Sequence, residues 1–276
     1  MNIKILEWNI NQRSHYRGRG IELVSDEIRR VNADLVCLTE YVKGEQHSTF
    51  CDEMHELGYS TFLAPTTGDK KELKNEILLA VKTNFLNNST QKITGTDEAF
   101  SFTKKEVLPP NFLHLQIDFN DEPLHIIGCR IQTRKDYNIE DAKERMDQIH
   151  LIVEYIKKLY GGIVVTGDFN NFFYSETSTV YSWSHDKTYL QNYYSYPLLI
   201  KAMNEVALTA YTPKGYSWKN EKEIQFRLDH LFTNLKVNQK EYSWEFTENP
   251  KYRVANSYPD HAMLIVHIEK NDIKAF

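Results

Sequence analysis

The sequence predicts stacked β-sheets with helices packed outside them. Three observations carry this. Helical and strand-like segments alternate near the N-terminus, strand-like runs joined by hairpin breaks dominate the middle and the C-terminal part, and the clearest helices carry an apolar stripe on one face.

Ile3–Trp8 reads as the first strand, ending at Asn9, and a polar Arg-rich loop from Asn11 to Gly20 follows. Ile21, Val24, Ile28 and Val31 recur at spacings of three and four, the mark of an amphipathic helix. The apolar run from Asp34 to Thr39 reads as a buried strand ending at Glu40, and a second helix is expected over Gln46–Leu57, stopped by Gly58. Strands are expected at Tyr59–Ala64, Glu76–Val81, Ala99–Val107, Phe112–Phe119 and Leu124–Ile131, with a hairpin break at Asn120-Asp121-Glu122-Pro123. Asn138 is a helix N-cap candidate with Asp141 three residues on, and Ala142, Met146, Ile149, Val153, Ile156 and Tyr160 form an apolar stripe closed by Gly161-Gly162. Ile163–Thr166 is a buried strand stopping at Gly167-Asp168-Phe169-Asn170. Residues 172–218 hold twelve aromatics, enough to pack under long loops or to form a stacking platform for bases or lipids, with a helix near Pro197–Val206. Strands return at Phe226–Phe232, Lys236–Phe246 and Met263–Ile268.

Composition bounds the function. The chain has 276 residues, 41% hydrophobic and 26% charged, as expected of one large globular domain over residues 1–276. A formal net charge of −5 gives no broad positive field to draw nucleic acid from a distance, which speaks against a duplex-coating protein but not against a nuclease. The three cysteines (Cys37, Cys51 and Cys129) have no metal-type spacing, and their odd number argues against a disulfide framework. No apolar run approaches the roughly 18 residues of a membrane span, and the N-terminus lacks the apolar core of a signal peptide, so a cytoplasmic location and no membrane span are expected, and no protein partner is implied.

One regularity points to chemistry: polar residues sit where the expected strands stop. Asn9, Glu40, Asp168 with Asn170, Asp229 with His230, and Asp260 with His261 all lie at such places. If the strands run side by side, these residues converge on one sheet edge, where ligand sites commonly form. Asp, Glu and Asn offer only oxygen ligands, which suit Mg²⁺ or Mn²⁺ and not a structural zinc. A phosphate-ester hydrolase needs such a Lewis acid, a group that deprotonates the attacking water, and a donor to the scissile phosphate.

Trp8-Asn9-Ile10-Asn11, Leu38-Thr39-Glu40, Gly167-Asp168-Phe169-Asn170, Arg227-Leu228-Asp229-His230 and Ser257-Tyr258-Pro259-Asp260-His261 occur in that order and together resemble the endonuclease/exonuclease/phosphatase superfamily. The motifs span nearly the whole chain. The resemblance implies a four-layer α/β sandwich: two mixed β-sheets packed face to face with helices outside. It implies hydrolysis of a phosphodiester or phosphomonoester with Mg²⁺ or Mn²⁺. In that reading Glu40 is the main metal carboxylate, with Asn9 near it and Asp260 a further metal-side acid. Asp168 is the base, Asn170 the amide beside it, and His261 the group at the phosphate, oriented by Asp229. Asn11, Asn75, Arg13 and Arg130 fall on the substrate side. Arg130 stands where many members carry a His at a strand end; an Arg can clamp phosphate but cannot act as a general acid at neutral pH. Lys74 stands where a Gly is usual before Asn75, and Asn171-Phe172-Phe173-Tyr174 departs from the common continuation. Arg13, Arg17, Arg19 and Arg134 are either solvated loop residues or phosphate holders. His230, His114, His125 and His267 are expected to be structural. The substrate stays open among nucleic acid, a small phosphorylated metabolite, inositol phosphate and a lipid head group. The alternative reading is a non-catalytic binding protein that keeps the fold.

Overall fold

A computed structural model describes residues 2–14, 20–64, 75–86, 91–101, 107–119, 122–133, 139–174, 187–220, 225–249 and 258–269, the side chains of 139 and 172–195 excepted. The expected Ala99–Val107 strand lies partly outside these residues.

Two βαβ units organise the chain. β1 (Asn2–Asn9) runs through α1 (Gly20–Val31) into parallel β2 (Leu35–Tyr41), and β7 (Glu122–Arg130) runs through α4 (Ile139–Ile156) into parallel β8 (Gly162–Tyr174). Around the first pair, α2 (His47–Glu56) leads to β3 (Tyr59–Leu63) and β4 (Glu76–Lys82), and β12 (Lys236–Ser243) and β13 (Met263–Glu269) complete a six-stranded sheet in the order β12-β13-β1-β2-β4-β3. Around the second pair stand β5 (Lys92–Gly95), β6 (Asn111–Phe119), the short β9 (Thr209–Ala210) and β10 (Trp218–Lys219), and β11 (Gln225–Thr233). These form a seven-stranded sheet in the order β10-β11-β8-β7-β6-β5, with β9 on β11. A four-residue helix, α3 (Thr96–Ala99), occupies the start of one expected strand, and α5 (Lys187–Asn204) begins earlier than its apolar pattern suggests.

The alternation of side chains along the central strands explains the layers. Ile3, Ile5, Leu35 and Cys37 face inward and meet Leu113, Leu115, Leu124, Ile126 and Val164 of the other sheet. Leu6, Trp8, Val36 and Leu38 face outward and are covered by Leu23, Val24 and Ile28 of α1 and Phe50 and Met54 of α2. On the far side Ile127, Cys129, Ile163 and Val165 lie under Ile149, Ile152, Val153 and Ile156 of α4 and Leu199 and Met203 of α5. The order is therefore helix, sheet, sheet, helix, the four-layer sandwich expected from the sequence. Among the described residues no helix is long and apolar enough to cross a membrane.

β1 ends at Asn9 as expected, but two strands run on past their polar residues. Glu40 is inside β2, and β8 continues through Asp168 and Asn170 to Tyr174. The backbone instead twists locally: Asn11, Gln12, Glu40 and Asn170 all have left-handed φ angles, between 45° and 58°. Such conformations cost on the order of 1–3 kcal/mol in non-glycine residues, so surrounding contacts must hold them. Gly167 has φ +150°, and a Cβ there would lie 1.8 Å from the Cys129 carbonyl oxygen, so only glycine lets β8 run this close to β7 beside Asp168.

Candidate active site

The C-terminal ends of the two parallel pairs meet at one place. β1 and β2 bring Asn9 and Glu40; β7 and β8 bring Arg130 and Asp168. The Asn9 amide spans the gap between sheets, its Nδ2 3.4 Å from Glu40 Oε1 and 3.0 Å from Asp168 Oδ2. Its own Oδ1 accepts the Asn11 N–H at 2.9 Å, which fixes the amide's orientation and helps hold Asn11 left-handed. Arg130 Nη2 lies 2.7 Å from Glu40 Oε1, and its Nε 3.7 Å from Asp168 Oδ2.

Asp168 is fully buried and held from its own loop. Asn170 donates its N–H to Oδ1 and its Nδ2 to Oδ2, each at 3.0 Å, and Nδ2 also reaches the Ile131 carbonyl at 2.9 Å. Burial, reinforced by the Asp229 charge, raises the Asp168 carboxyl to about 7, while His261 and Arg130 pull it down. A group titrating there is suited to accept a proton from water near neutrality.

Asp229 faces Asp168 across the β8–β11 ladder. A register shift at Arg227–Asp229 aims it inward; Ser217 Oγ accepts the N–H groups of Leu228 and Asp229 at 2.8 and 3.1 Å and so satisfies the bulge. Asp229 Oδ2 takes His261 Nδ1 at 2.8 Å, and Trp8 Nε1 donates to the His261 carbonyl at 3.0 Å. Burial alone would lower the imidazole; the Asp229 charge and hydrogen bond, with Asp168 and Asp260, outweigh it and raise His261 to about 10. The ring is thus an imidazolium whose Nε2 is turned from Asp229.

The remaining expected residues divide. Asp260 is tied on both oxygens, Oδ1 by Asn11 Nδ2 at 2.7 Å and Oδ2 by Trp218 Nε1 at 2.8 Å. Asn11 therefore braces Asp260. Arg13 Nη2 donates to the Tyr258 carbonyl at 3.0 Å, joining the loop after β1 to the segment bearing Asp260 and His261. Asn75 stands just before β4, whose Glu76 pairs with Tyr41, so it lies at the Glu40 end of the first sheet. Arg17, Arg19, Arg134, Lys74 and Ser257 lie outside the described residues. His230 is buried, its ring nitrogens 3.0 Å from Thr212 Oγ1 and 3.4 Å from the Asn171 carbonyl, in keeping with a structural histidine.

Two features escape a reading of strand ends. Glu7 points between the sheets and is fully buried; desolvation first, then Asp229 and Asp168, push its carboxyl well above the usual range. The alternation of β1, with Ile3 and Ile5 inward, would have flagged it. The second is the N-terminal half of α4. Asp141, Arg145 and Gln148 are buried at helical spacing, where the apolar stripe was expected at Ala142 and Met146. Arg145 donates to the Asn170 carbonyl and pairs with Asp141 at 3.1 Å. Gln148 accepts the Gln132 N–H at 2.8 Å and donates to the Gln132 carbonyl at 2.9 Å. Tyr160, expected on the stripe, is exposed.

The donor set fits a hard divalent cation. Glu40 and Asp168 offer carboxylate oxygens across a gap already spanned by one amide. Among the described residues no three His, Cys, Asp or Glu side chains converge to hold an ion by themselves. Mg²⁺ typically uses one or two carboxylates and leaves its other positions to water and phosphate, so this pair of carboxylates is compatible with it.

No protein-family model and no curated protein matches the chain by sequence. Solved structures do. ANGEL2, a 2',3'-cyclic phosphatase, superposes with a TM-score of 0.63 at 14% identity over 97% of this chain and 95% of its own. The 3' phosphatase NExo from Neisseria, bound to a product DNA hairpin, gives 0.66 at 13% identity over 97% and 100%. An endonuclease/exonuclease/phosphatase family protein from Leptotrichia buccalis gives 0.61 at 12% identity over 97% and 100%. The chain has the endonuclease/exonuclease/phosphatase fold.

Proposed function

We propose that this protein is a divalent-metal-dependent phosphoesterase that hydrolyses a P–O bond with water activated by Asp168. The observation that carries the reading is the convergence of Glu40 and Asp168, from different sheets, on one Asn9 amide, with the Asp229–His261 pair beside Asp168. Asp168 takes the proton from water. His261, held by Asp229, donates from Nε2 to a non-bridging phosphoryl oxygen, where charge develops. Arg130 steadies the phosphate through its fork. A Mg²⁺ or Mn²⁺ ion held chiefly by Glu40, beside Asp168, would supply Lewis-acid neutralisation of the phosphoryl and leaving oxygens. The leaving oxygen takes its proton from solvent, since Arg130 keeps its own. Asp260 and Asn11 brace the loop that carries His261.

Structures of the same fold include a 2',3'-cyclic phosphatase and a 3' phosphatase bound to product DNA, so phosphate esters on nucleic acid ends are the first substrates to try. The test is hydrolysis of oligonucleotides ending in a 3'-phosphate or a 2',3'-cyclic phosphate, bis-p-nitrophenyl phosphate, p-nitrophenyl phosphate and plasmid DNA with and without Mg²⁺ or Mn²⁺, for the wild type and for Glu40→Ala and Asp168→Ala. Metal-dependent turnover lost in both variants with the fold intact supports the proposal. Full turnover by either variant, or silence on all substrates, turns it down; silence favours the binding-protein reading.

A further inference from the structure

The guanidinium of Arg130 stands between the two groups that a cation would use. Its Nη2 is 2.7 Å from Glu40 Oε1 on the first sheet, and its Nε is 3.7 Å from Asp168 Oδ2 on the second. Only 17% of the side chain is exposed. The Nε is buried and makes no hydrogen bond to another described residue. Nε and Nη2 form one edge of the guanidinium, the edge that grips a carboxylate or a phosphate with two parallel hydrogen bonds. Here that edge is half used: one N–H on Glu40, the other directed at Asp168 without reaching it.

We propose that Arg130 couples the binding of the divalent cation to that of the phosphate, through two alternative partners for the same edge. With no phosphate bound, Arg130 neutralises Glu40 and lies against Asp168. A dication entering between these carboxylates meets a fixed positive charge and must share Glu40 with it, so its affinity is held down. A phosphoryl group offers two oxygens to the Nε–Nη2 edge, draws the guanidinium from Glu40, and brings negative charge between the two cations. Each ligand thereby makes room for the other, and by linkage the gain in affinity is the same in either order. The consequence for the enzyme is that the cation is retained tightly only when a phosphate ester is present. This inference rests on the proposed reading of Glu40, beside Asp168, as the cation's main carboxylate.

The test is Mn²⁺ titration followed by calorimetry and by water-proton relaxation, with and without saturating methylphosphonate, a phosphate mimic that cannot be hydrolysed. Wild type is expected to bind Mn²⁺ about 5- to 150-fold more tightly with methylphosphonate than without, the usual range for coupled sites. Arg130→Gln is expected to bind Mn²⁺ several-fold more tightly than wild type in the absence of methylphosphonate and to lose most of the enhancement. Arg130→Lys keeps the charge but not the fork; it is expected to keep the weak Mn²⁺ affinity and a reduced enhancement, and it serves if the Gln variant does not fold. Equal Mn²⁺ affinity in wild type and Arg130→Gln, or undiminished enhancement in either variant, overturns the coupling while leaving the proposed hydrolase standing. Wild-type Mn²⁺ binding that survives unchanged in Glu40→Ala overturns the cation site itself, and the coupling with it.

Discussion

Arg145 offers a test of how the Asp168 loop is held. Its side chain is fully buried in α4, pairs with Asp141 at 3.1 Å and donates to the Asn170 carbonyl. Arg145→Met takes the cation from the buried Asp141 carboxylate, and losing one partner of a buried pair costs about 3–5 kcal/mol. Asp141→Leu/Arg145→Met removes both charges; what is left is the Asn170 carbonyl without this donor, at about 1–3 kcal/mol. The double variant should therefore be the more stable of the two. Catalysis should order them differently. The Asn170 backbone is left-handed, and its N–H and Nδ2 both hold Asp168, so freeing its carbonyl lets the carboxylate drift. A misplacement near 1 Å can cost about 100-fold. The expected result is a fall in kcat of about 10- to 100-fold in the double variant, with KM within twofold, although its thermal stability is largely restored. Thermal unfolding and steady-state kinetics on bis-p-nitrophenyl phosphate with Mn²⁺ measure both. A folded double variant with wild-type kcat would refute the claim that α4 sets the position of Asp168.

Other outcomes follow from the same geometry. Asp229→Asn keeps the shape but takes away the carboxylate that holds His261 Nδ1; kcat should fall about 100-fold or more and the melting temperature should drop, because a buried imidazolium loses its counter-charge, and kinetics within tenfold of wild type would speak against the pair. Two buried histidines should draw stability down as pH falls below about 6.5. Burial lowers His114 and His230 to about 3, so both are neutral in the fold at a pH where the unfolded chain takes up protons. The stabilisation is full above the ordinary histidine range and is lost downward towards about 3, amounting to about 2 kcal/mol per histidine by pH 5. Because the raised carboxyls of Asp168 and Glu7 pull the other way over the same range, the check is thermal unfolding of wild type against His114→Phe from pH 8 to 4.5, and a variant that keeps the wild-type pH slope would contradict it.

The legible part of the molecule was what local pattern encodes. The spacing of Ile21, Val24, Ile28 and Val31 marked α1, and strand-like runs bounded by polar breaks marked most long strands. The polar residues after Trp8, Thr39 and Gly167 could be gathered because parallel strands joined by crossover helices end on the same side. What the pattern did not show is what depends on three-dimensional partners. Asp141, Arg145 and Gln148 look like the solvated face of an amphipathic helix, yet they are buried because backbone carbonyls and amides at Asn170 and Gln132 need them. Asp260 reads as a free acid until Trp218 and Asn11 are found on its two oxygens. Glu7 sits in an inward register that composition alone does not expose. The short β9 and β10 are two-residue pairings set by β11, below the length at which periodicity speaks.

The division of the site between two sheets has a mechanical consequence. Glu40 and Asp168 belong to different layers, so the distance between them is set by how closely the sheets pack, and Gly128 is a point where they come close. A Cβ on Gly128 would lie 2.6 Å from Ile77 Cγ2 and 2.8 Å from Cys37 Sγ, short branches that cannot swing away. Gly128 is two residues before Arg130, and Cys37 three before Glu40. Gly128→Ala must therefore push β7 from β2 and β4 directly beneath the site. Overpacking of this kind costs about 1–3 kcal/mol, which a domain of this size survives. The carboxylates, with one amide between them at 3.0 and 3.4 Å, have less tolerance. The variant should fold with a lowered melting temperature and lose kcat about tenfold or more, and its Mn²⁺ affinity should weaken in step because both depend on the same gap. Measured together, the two losses separate a change in sheet spacing from a general loss of stability. Full activity in a destabilised Gly128→Ala protein would show that the site does not ride on the inter-sheet contact.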